Sequence, residues 1–382
     1  MRWAIAMLLA IPVAMNAATD ATPFDKLVHE ADAARQANRL PEAVGLYRQA
    51  VKVRPTWSEG WWWLGSLYYD QDLYVEARDA FQHAATGSKS PALTDAFLGL
   101  CEYELRNYAA ARAHLAKWQT AGAPGDRMLS DVARFHLAQL ETQEGRFFEA
   151  LYQLHREVSV RGPSPALAEA MGLAWMRMKS LPEDYRPEDR EMVWLAGSAA
   201  AWFSAGKQDR AMELLNQLER YYGDRPNVHF LRGFVFESMK DTDAAIQEYA
   251  REAQISPGTT AALIQLALLY TDTGDFEKAI QNARQASALE PDNARAHFAF
   301  GRALASDEKW VESAAELEKA EALSPKAPKV HFQLAKVYRK LGREEEARRE
   351  SSVFEAMEKD GQDKPAPGDP ASLRGVPEGR RP

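Results

Sequence analysis

Residues 245–325 read AIQEYAREAQISPGTTAALIQLALLYTDTGDFEKAIQNARQASALEPDNARAHFAFGRALASDEKWVESAAELEKAEALSP. Pro257, Pro291 and Pro325 recur at one constant interval, each after a small and apolar stretch: Ala245-Ile246 with Tyr249, Ala279-Ile280 with Ala286, Ala314-Ala315 with Leu317 and Ala320. Between them runs a second phrase. It is Leu263-x-x-Leu266-Ala267-x-x-Tyr270, then His297-x-x-Phe300-Gly301-x-x-Leu304, then His331-x-x-Leu334-Ala335-x-x-Tyr338. A fixed period of this length marks a stack of helical hairpins, each of which buries its apolar flank only against its neighbours. The metre decides architecture and leaves the partner unnamed.

Working outward, the same metre reaches back to Phe24. Leu27, Ala31 and Ala34 mark a first helix, Ala43, Tyr47 and Ala50 a second, and Pro55 ends the unit because proline cannot continue a helix. The next unit carries Trp61-x-x-Leu64-Gly65-x-x-Tyr68, followed by Ala77, Phe81 and Ala84. This phrase resembles the tetratricopeptide repeat, W-x-x-L-G-x-x-Y…A-x-x-x-F…P. Gly and Ala fit where two helices cross too closely for a larger side chain, and the aromatic and aliphatic residues fill the space beside the crossing. The resemblance covers about residues 24–358 and implies an all-α, right-handed tetratricopeptide-repeat superhelix of about ten helix pairs.

Units three and four, around Leu98-Gly99, Tyr108 and Leu115, then Leu137-Ala138, Gly145 and Leu154, lack the Trp but keep the small residues. The metre fails once. After Met171-Gly172 and Trp175 the stretch Leu181–Arg190 holds Pro182 and Pro187 among alternating charges, which favours a loop over a second helix. Two readings stand: an irregular joint at 180–190 between arrays at 24–179 and 191–358, or a repeat with a short second helix through which stacking continues. Residues 361–382 are rich in Pro, Gly and Arg and are expected to be disordered.

Met1–Ala18 reads as a signal peptide: Arg2, an apolar run from Trp3 to Met15, and a small-residue exit. The expectation is export to a periplasmic or extracellular compartment, with retention of this segment as an anchor the alternative. The body offers no other apolar span. The net charge of −8 excludes a globally basic nucleic-acid binder, and the single Cys101 excludes an intramolecular disulfide.

No phosphate-binding glycine loop, H-E-x-x-H, C-x-x-C or G-x-S-x-G occurs, so the chain is expected to be no enzyme and to need no cofactor. His229, His297 and His331 share one repeat position. Stacked helices lie roughly 10 Å apart, too far for the three to share an ion, so no metal is expected. Asp241 and Asp243, and Asp272 and Asp275, fall between helices and read as turn and cap residues.

The resemblance implies a concave groove lined by the first helix of each pair. Carrying the family's ligand-contact positions across gives Trp62, Tyr69, Tyr103, Phe135, Phe234, Phe298, Arg302, Phe332, Lys336 and Arg339. Rings and guanidinium groups dominate binding hot spots, and the basic end suits an acidic peptide or a terminal carboxylate. The Asn of the family's carboxylate clamp is absent there. The expected function is an exported scaffold binding a protein or peptide partner. The alternatives are a membrane-tethered assembly factor of an envelope complex and a non-catalytic partner of a separately encoded enzyme.

Overall fold

A computed structural model describes residues 22–360. The signal expected at 1–18 and the tail expected at 361–382 lie outside them. Among the described residues there is no strand. Contacts divide the chain into two compact units, one ending at Glu144 and one beginning at Gly145.

The first unit holds α1 (Pro23–Gln36), α2 (Leu40–Val53), α3 (Ser58–Tyr69), α4 (Tyr74–Ala85), α5 (Pro91–Glu104), α6 (Tyr108–Thr120) and α7 (Arg127–Gln143). The second holds α8 (Phe147–Arg161), α9 (Pro165–Trp175), α10 (Arg190–Ser204), α11 (Gln208–Tyr222), α12 (Val228–Ser238) and α13 (Thr242–Ile255). It continues with α14 (Thr260–Thr273), α15 (Phe276–Leu289), α16 (Ala294–Ser306), α17 (Trp310–Leu323), α18 (Pro328–Lys340) and α19 (Glu344–Asp360). Within each unit, successive helices pack as antiparallel hairpins that stack on the next.

The regular hairpins are closed by one device. A residue in the left-handed region stands at Asn38, Asp72 and Arg106, and again at Gly206, Lys240, Gly274, Glu308 and Gly342, each series keeping the interval of the prolines. The next residue's N–H then reaches back to a carbonyl in the last turn of the helix, as in Leu73 to Tyr68 (3.0 Å) and Arg343 to Tyr338 (2.9 Å). This satisfies a carbonyl that the helix end would orphan. The metre's prolines come directly after the cap of each second helix, at Pro55, Pro257, Pro291 and Pro325.

Close crossings explain the glycines of the repeat phrase. A Cβ on Gly65 would meet the Phe81 ring at 3.0 Å, on Gly99 the Leu115 side chain at 2.6 Å, on Gly233 Tyr249 at 2.8 Å and on Gly301 Leu317 at 2.6 Å. The offset from glycine to partner is the same in all four, and each partner is fully buried in the second helix of the same hairpin.

The stretch 180–190 is irregular, with a short 3-10 turn at Pro187–Asp189. It replaces the second helix of its unit, so α9 lacks the usual partner. Instead α9 packs directly on α10: a Cβ on Gly172 would lie 2.0 Å from the Val193 carbonyl oxygen, and one on Gly197 only 1.7 Å from that of Ala168. Three hairpins, α1–α2, α3–α4 and α5–α6, thus lie in the first unit and five, from α10–α11 to α18–α19, in the second, where α9 borrows α10 as its partner. The division by contacts falls at Glu144/Gly145 and not at 180–190.

Candidate protein-interaction surface

In the first unit, the rings expected to line the groove join successive first helices. Trp62 of α3 sits edge-on to Phe97 of α5 at 5.2 Å and to Phe81 of α4 at 5.2 Å. Tyr69 is edge-on to the same Phe97 at 5.7 Å, and burial pushes its phenol well above the ordinary range. Tyr103 of α5 leans on His136 of α7 at 4.0 Å, and its hydroxyl donates to Gln139 at 2.9 Å; Phe135 lies half-buried beside His136 at 5.7 Å. Each ring shows only a partial face to solvent.

His136 makes this wall sensitive to acid. Packed among Tyr103, Phe135 and Gln139, its imidazole is pushed down to about 4, chiefly by burial. The unfolded chain gains this proton below about pH 6.5, whereas the folded chain resists until about pH 4. The stability held by the neutral ring is therefore complete above pH 6.5 and is lost as pH falls towards 4. We expect His136→Gln to shallow the decline of the urea midpoint over that window by about one proton. Parallel wild-type and variant curves would refute this.

In the second unit part of the expected groove is buried. Phe234 is 2% exposed, wedged against Trp175 at 4.9 Å and Phe203 at 6.0 Å, and has no face to offer a partner. Phe230 and Ile264, from equivalent positions, are buried as well. The physical reason is that the chain fills its own inner face. The guanidinium of Arg177 lies 5.6–5.9 Å from the rings of Phe147, Phe148 and Phe230. Phe148 in turn lies 5.7 Å from the Arg295 guanidinium of α16. Burial holds Arg177 below its usual range, while Glu290 and Glu252 favour its charge.

The C-terminal end stays open, and only part of the expected set meets there. Arg302 is paired with Asp272 of α14, and Phe298 packs half-buried on the cluster of Val330, Leu334 and Tyr338. Phe332 is 47% exposed, 5.4 Å from Phe354. The ammonium of Lys336 lies 5.9 Å from the Phe332 ring, that of Lys340 5.5 Å from Trp310, and Arg339 donates to Ser351. Lys329, Phe332, Lys336 and Arg339 fall at helical spacing on one stripe of α18, a helix with no Asp or Glu. Neither Lys336 nor Lys340 joins an ion pair among the described residues.

Two features escaped the sequence reading. One is an open cleft of about 440 Å³ lined by Met176, Met178, Tyr185, Met192, Asp189 and Arg225. Its buried carboxylate, Asp189, is held by Arg186 at 2.8 Å and Arg225 at 2.9 Å, so the cleft carries a neutralised acid. The other is a recurrent tie. His229 bonds Glu248 at 2.6 Å, His297 bonds Glu316 at 2.6 Å, and His331 bonds Glu350 at 2.7 Å, each across its own hairpin at a spacing of 19. Asp95 and His114 form the same tie with roles exchanged, at 2.7 Å. A His-x18-Glu repeat is visible in the sequence once sought. No described helix is long and apolar enough to cross a membrane.

Comparison with known proteins finds partial similarities. A tetratricopeptide-repeat family model matches residues 29–91 and 264–328. The small glutamine-rich tetratricopeptide repeat-containing protein 2 of Mycosarcoma maydis is 28% identical over 88 residues, which are 23% of this chain and 25% of that protein. Anaphase-promoting complex subunit 3 of Schizosaccharomyces pombe is 24% identical over 115 residues, 30% of this chain and 17% of that protein. The chain thus spans a quarter or less of these relatives. Among solved structures, MamA from Desulfovibrio magneticus RS-1 is 17% identical with a TM-score of 0.41, over 45% of this chain and 98% of that one. The chain thus carries tetratricopeptide repeats at both matched stretches, within a fold of repeated helical hairpins.

Proposed function

We propose that the scaffold is non-catalytic and holds an acidic segment of a partner protein against α18. Phe332 acts as the apolar anchor, and Lys336, Arg339 and Lys340 supply charge. The carrying observation is the 47% exposed Phe332 on a helix whose only formal charges are positive. An exposed ring flanked by cations suits a chain that alternates carboxylates with apolar side chains. Arg302 contributes less than its position in the repeat implies, because Asp272 already neutralises it. Phe298 supports the helix from beneath. The half-buried rings Trp62, Tyr69, Tyr103 and Phe135 offer a second, shallower wall in the first unit.

Export is part of the same reading, supported by Met1–Ala18 as a signal peptide. A mature N-terminus near Thr19 in mass spectrometry is the expected result; an intact Met1 would favour the tethered alternative.

The test is quantitative affinity capture from the native host, comparing wild type with Phe332→Ala and Lys336→Glu. A partner whose binding through α18 matters should lose roughly tenfold or more affinity with each variant, in the range of about 1–2 kcal/mol for a hot spot. Its wild-type binding should also weaken with salt. Arg302→Glu should have the smaller effect. Partners captured equally by all four chains would overturn the assignment to α18.

A further inference from the structure

The three His–Glu ties differ at one further position. At the same distance before each histidine stand Glu219, Ser287 and Glu321. Around His229 and around His331 the imidazole and two carboxylates therefore converge, with one ligand atom from each within 4.8 Å of the others. Around His229 a cation is already built in. Arg232 donates to Glu248 at 2.9 Å and to Glu219 at 2.9 Å, so its guanidinium bridges both carboxylates. The residue equivalent to Arg232 in the last hairpin is Leu334. There the same two acids face each other without that guanidinium.

The geometry at His331 also fixes which nitrogen is available. Nε2 lies 3.0 Å from the carbonyl oxygen of Pro325, which can only accept, so Nε2 carries a proton. Nδ1 faces Glu350 Oε2 at 2.7 Å and lies 3.9 Å from Glu321 Oε1. That contact between Nδ1 and a carboxylate needs a proton between them, which a metal ion taking both as ligands would displace. A backbone carbonyl on the far nitrogen is how proteins orient a ligating imidazole. Glu350 is 2% exposed; its other oxygen is met by the largely exposed Arg349 at 3.2 Å, which leaves Oε2 to the site.

We propose that Glu321, His331 and Glu350 bind a divalent transition-metal ion of the zinc type, clamping α17, α18 and α19 together at the last hairpin. One imidazole and two carboxylates give a neutral complex with such an ion, and water completes the shell. The proton between Nδ1 and Glu350 leaves to solvent as the metal enters. The tie at His297 has Ser287 in place of the third ligand and binds no metal.

The experiment titrates the tag-free, metal-free full chain with Co²⁺, following visible absorption and then displacement by Zn²⁺. Calorimetry in two buffers of different ionisation heat counts the protons released. Expected are one Co²⁺ per chain, about one proton released, and displacement by Zn²⁺. Glu321→Gln, a side chain about one-third exposed, should weaken binding at least tenfold without moving the melting curve of the metal-free chain. Glu219→Gln should leave binding unchanged. Absence of a Co²⁺ spectrum, binding indifferent to Glu321→Gln, or binding lost with Glu219→Gln would each overturn the proposal.

Discussion

Replacing Gly197 by alanine should cost the second unit about 3 kcal/mol or more, the largest effect expected of any single methyl group added to this chain. A Cβ there would lie 1.7 Å from the Ala168 carbonyl oxygen and 2.6 Å from the Gly172 nitrogen. Both obstacles are backbone, so no rotamer change relieves the clash. The helices α9 and α10 must separate, and separating them opens a core that includes Met171, Trp175 and Val193. Gly301→Ala should cost less, because its Cβ would meet Leu317 Cγ at 2.6 Å and Cδ2 at 2.9 Å, side-chain atoms that can shift where a carbonyl oxygen at 1.7 Å cannot. Gly45 provides the opposite sign. Nothing lies within 4 Å of a Cβ built on it, and it sits inside α2, so Gly45→Ala should stabilise by about 0.5–1 kcal/mol through helix propensity and lost unfolded-state freedom. Urea midpoints should rank Gly45→Ala above wild type, then Gly301→Ala, then Gly197→Ala. A Gly197→Ala chain as stable as wild type would mean that α9 and α10 do not cross at these glycines.

That crossing is only half legible in the sequence. Met171-Gly172 reads as a repeat phrase, and Pro182 and Pro187 as the loss of a second helix; both follow from local chemistry. That α10 takes the missing helix's place depends on Gly172 and Gly197, which stand on opposite sides of the irregular stretch with no local period connecting them. The hairpin metre is plain because each element meets its neighbour at a fixed offset, from glycine to ring within a hairpin and from one left-handed turn to the next. The groove is less legible for the same reason. Trp62, Tyr69 and Phe332 keep a face to solvent, but Phe234 is covered by Trp175 and Phe203, and Phe230 lies against Trp175 and Arg177. Repeat position tells which way a side chain points and not what the chain later folds over it. Arg302 has the expected position and still loses its availability to Asp272, at the end of the preceding first helix. The His–Glu ties lie within reach of the sequence, since a spacing of 19 recurs. Comparing the histidines only with one another hides them, because their partners are carboxylates on the second helix.

Removal of the Glu252 side chain should be nearly as damaging as the crowding of Gly197, by the opposite mechanism. This carboxylate is 1% exposed and reaches from α13 to the start of α12, where it accepts from the backbone N–H of Asn227 at 2.8 Å and of Phe230 at 3.2 Å. Asn227, the residue before α12, has a φ of 72° and makes no side-chain cap of its own. Glu252 therefore does in trans what an N-cap side chain does locally: it satisfies orphan donors and places negative charge at the positive end of the helix. Glu252→Ala leaves two buried N–H groups without an acceptor and opens space beside Phe230. Charged hydrogen bonds of this kind contribute about 1.5–3 kcal/mol, and the loss of both donors' partner puts the expected cost at the upper end, about 3 kcal/mol. Glu252→Gln keeps the shape and one oxygen but gives up the charge, so it should cost roughly half as much. Hydrogen exchange locates the effect: the amides of Asn227 and Phe230 should exchange much faster in the alanine variant, while those of α5 and α6 stay as in wild type. Unchanged protection at Asn227 would show that the helix start is held by something other than this carboxylate.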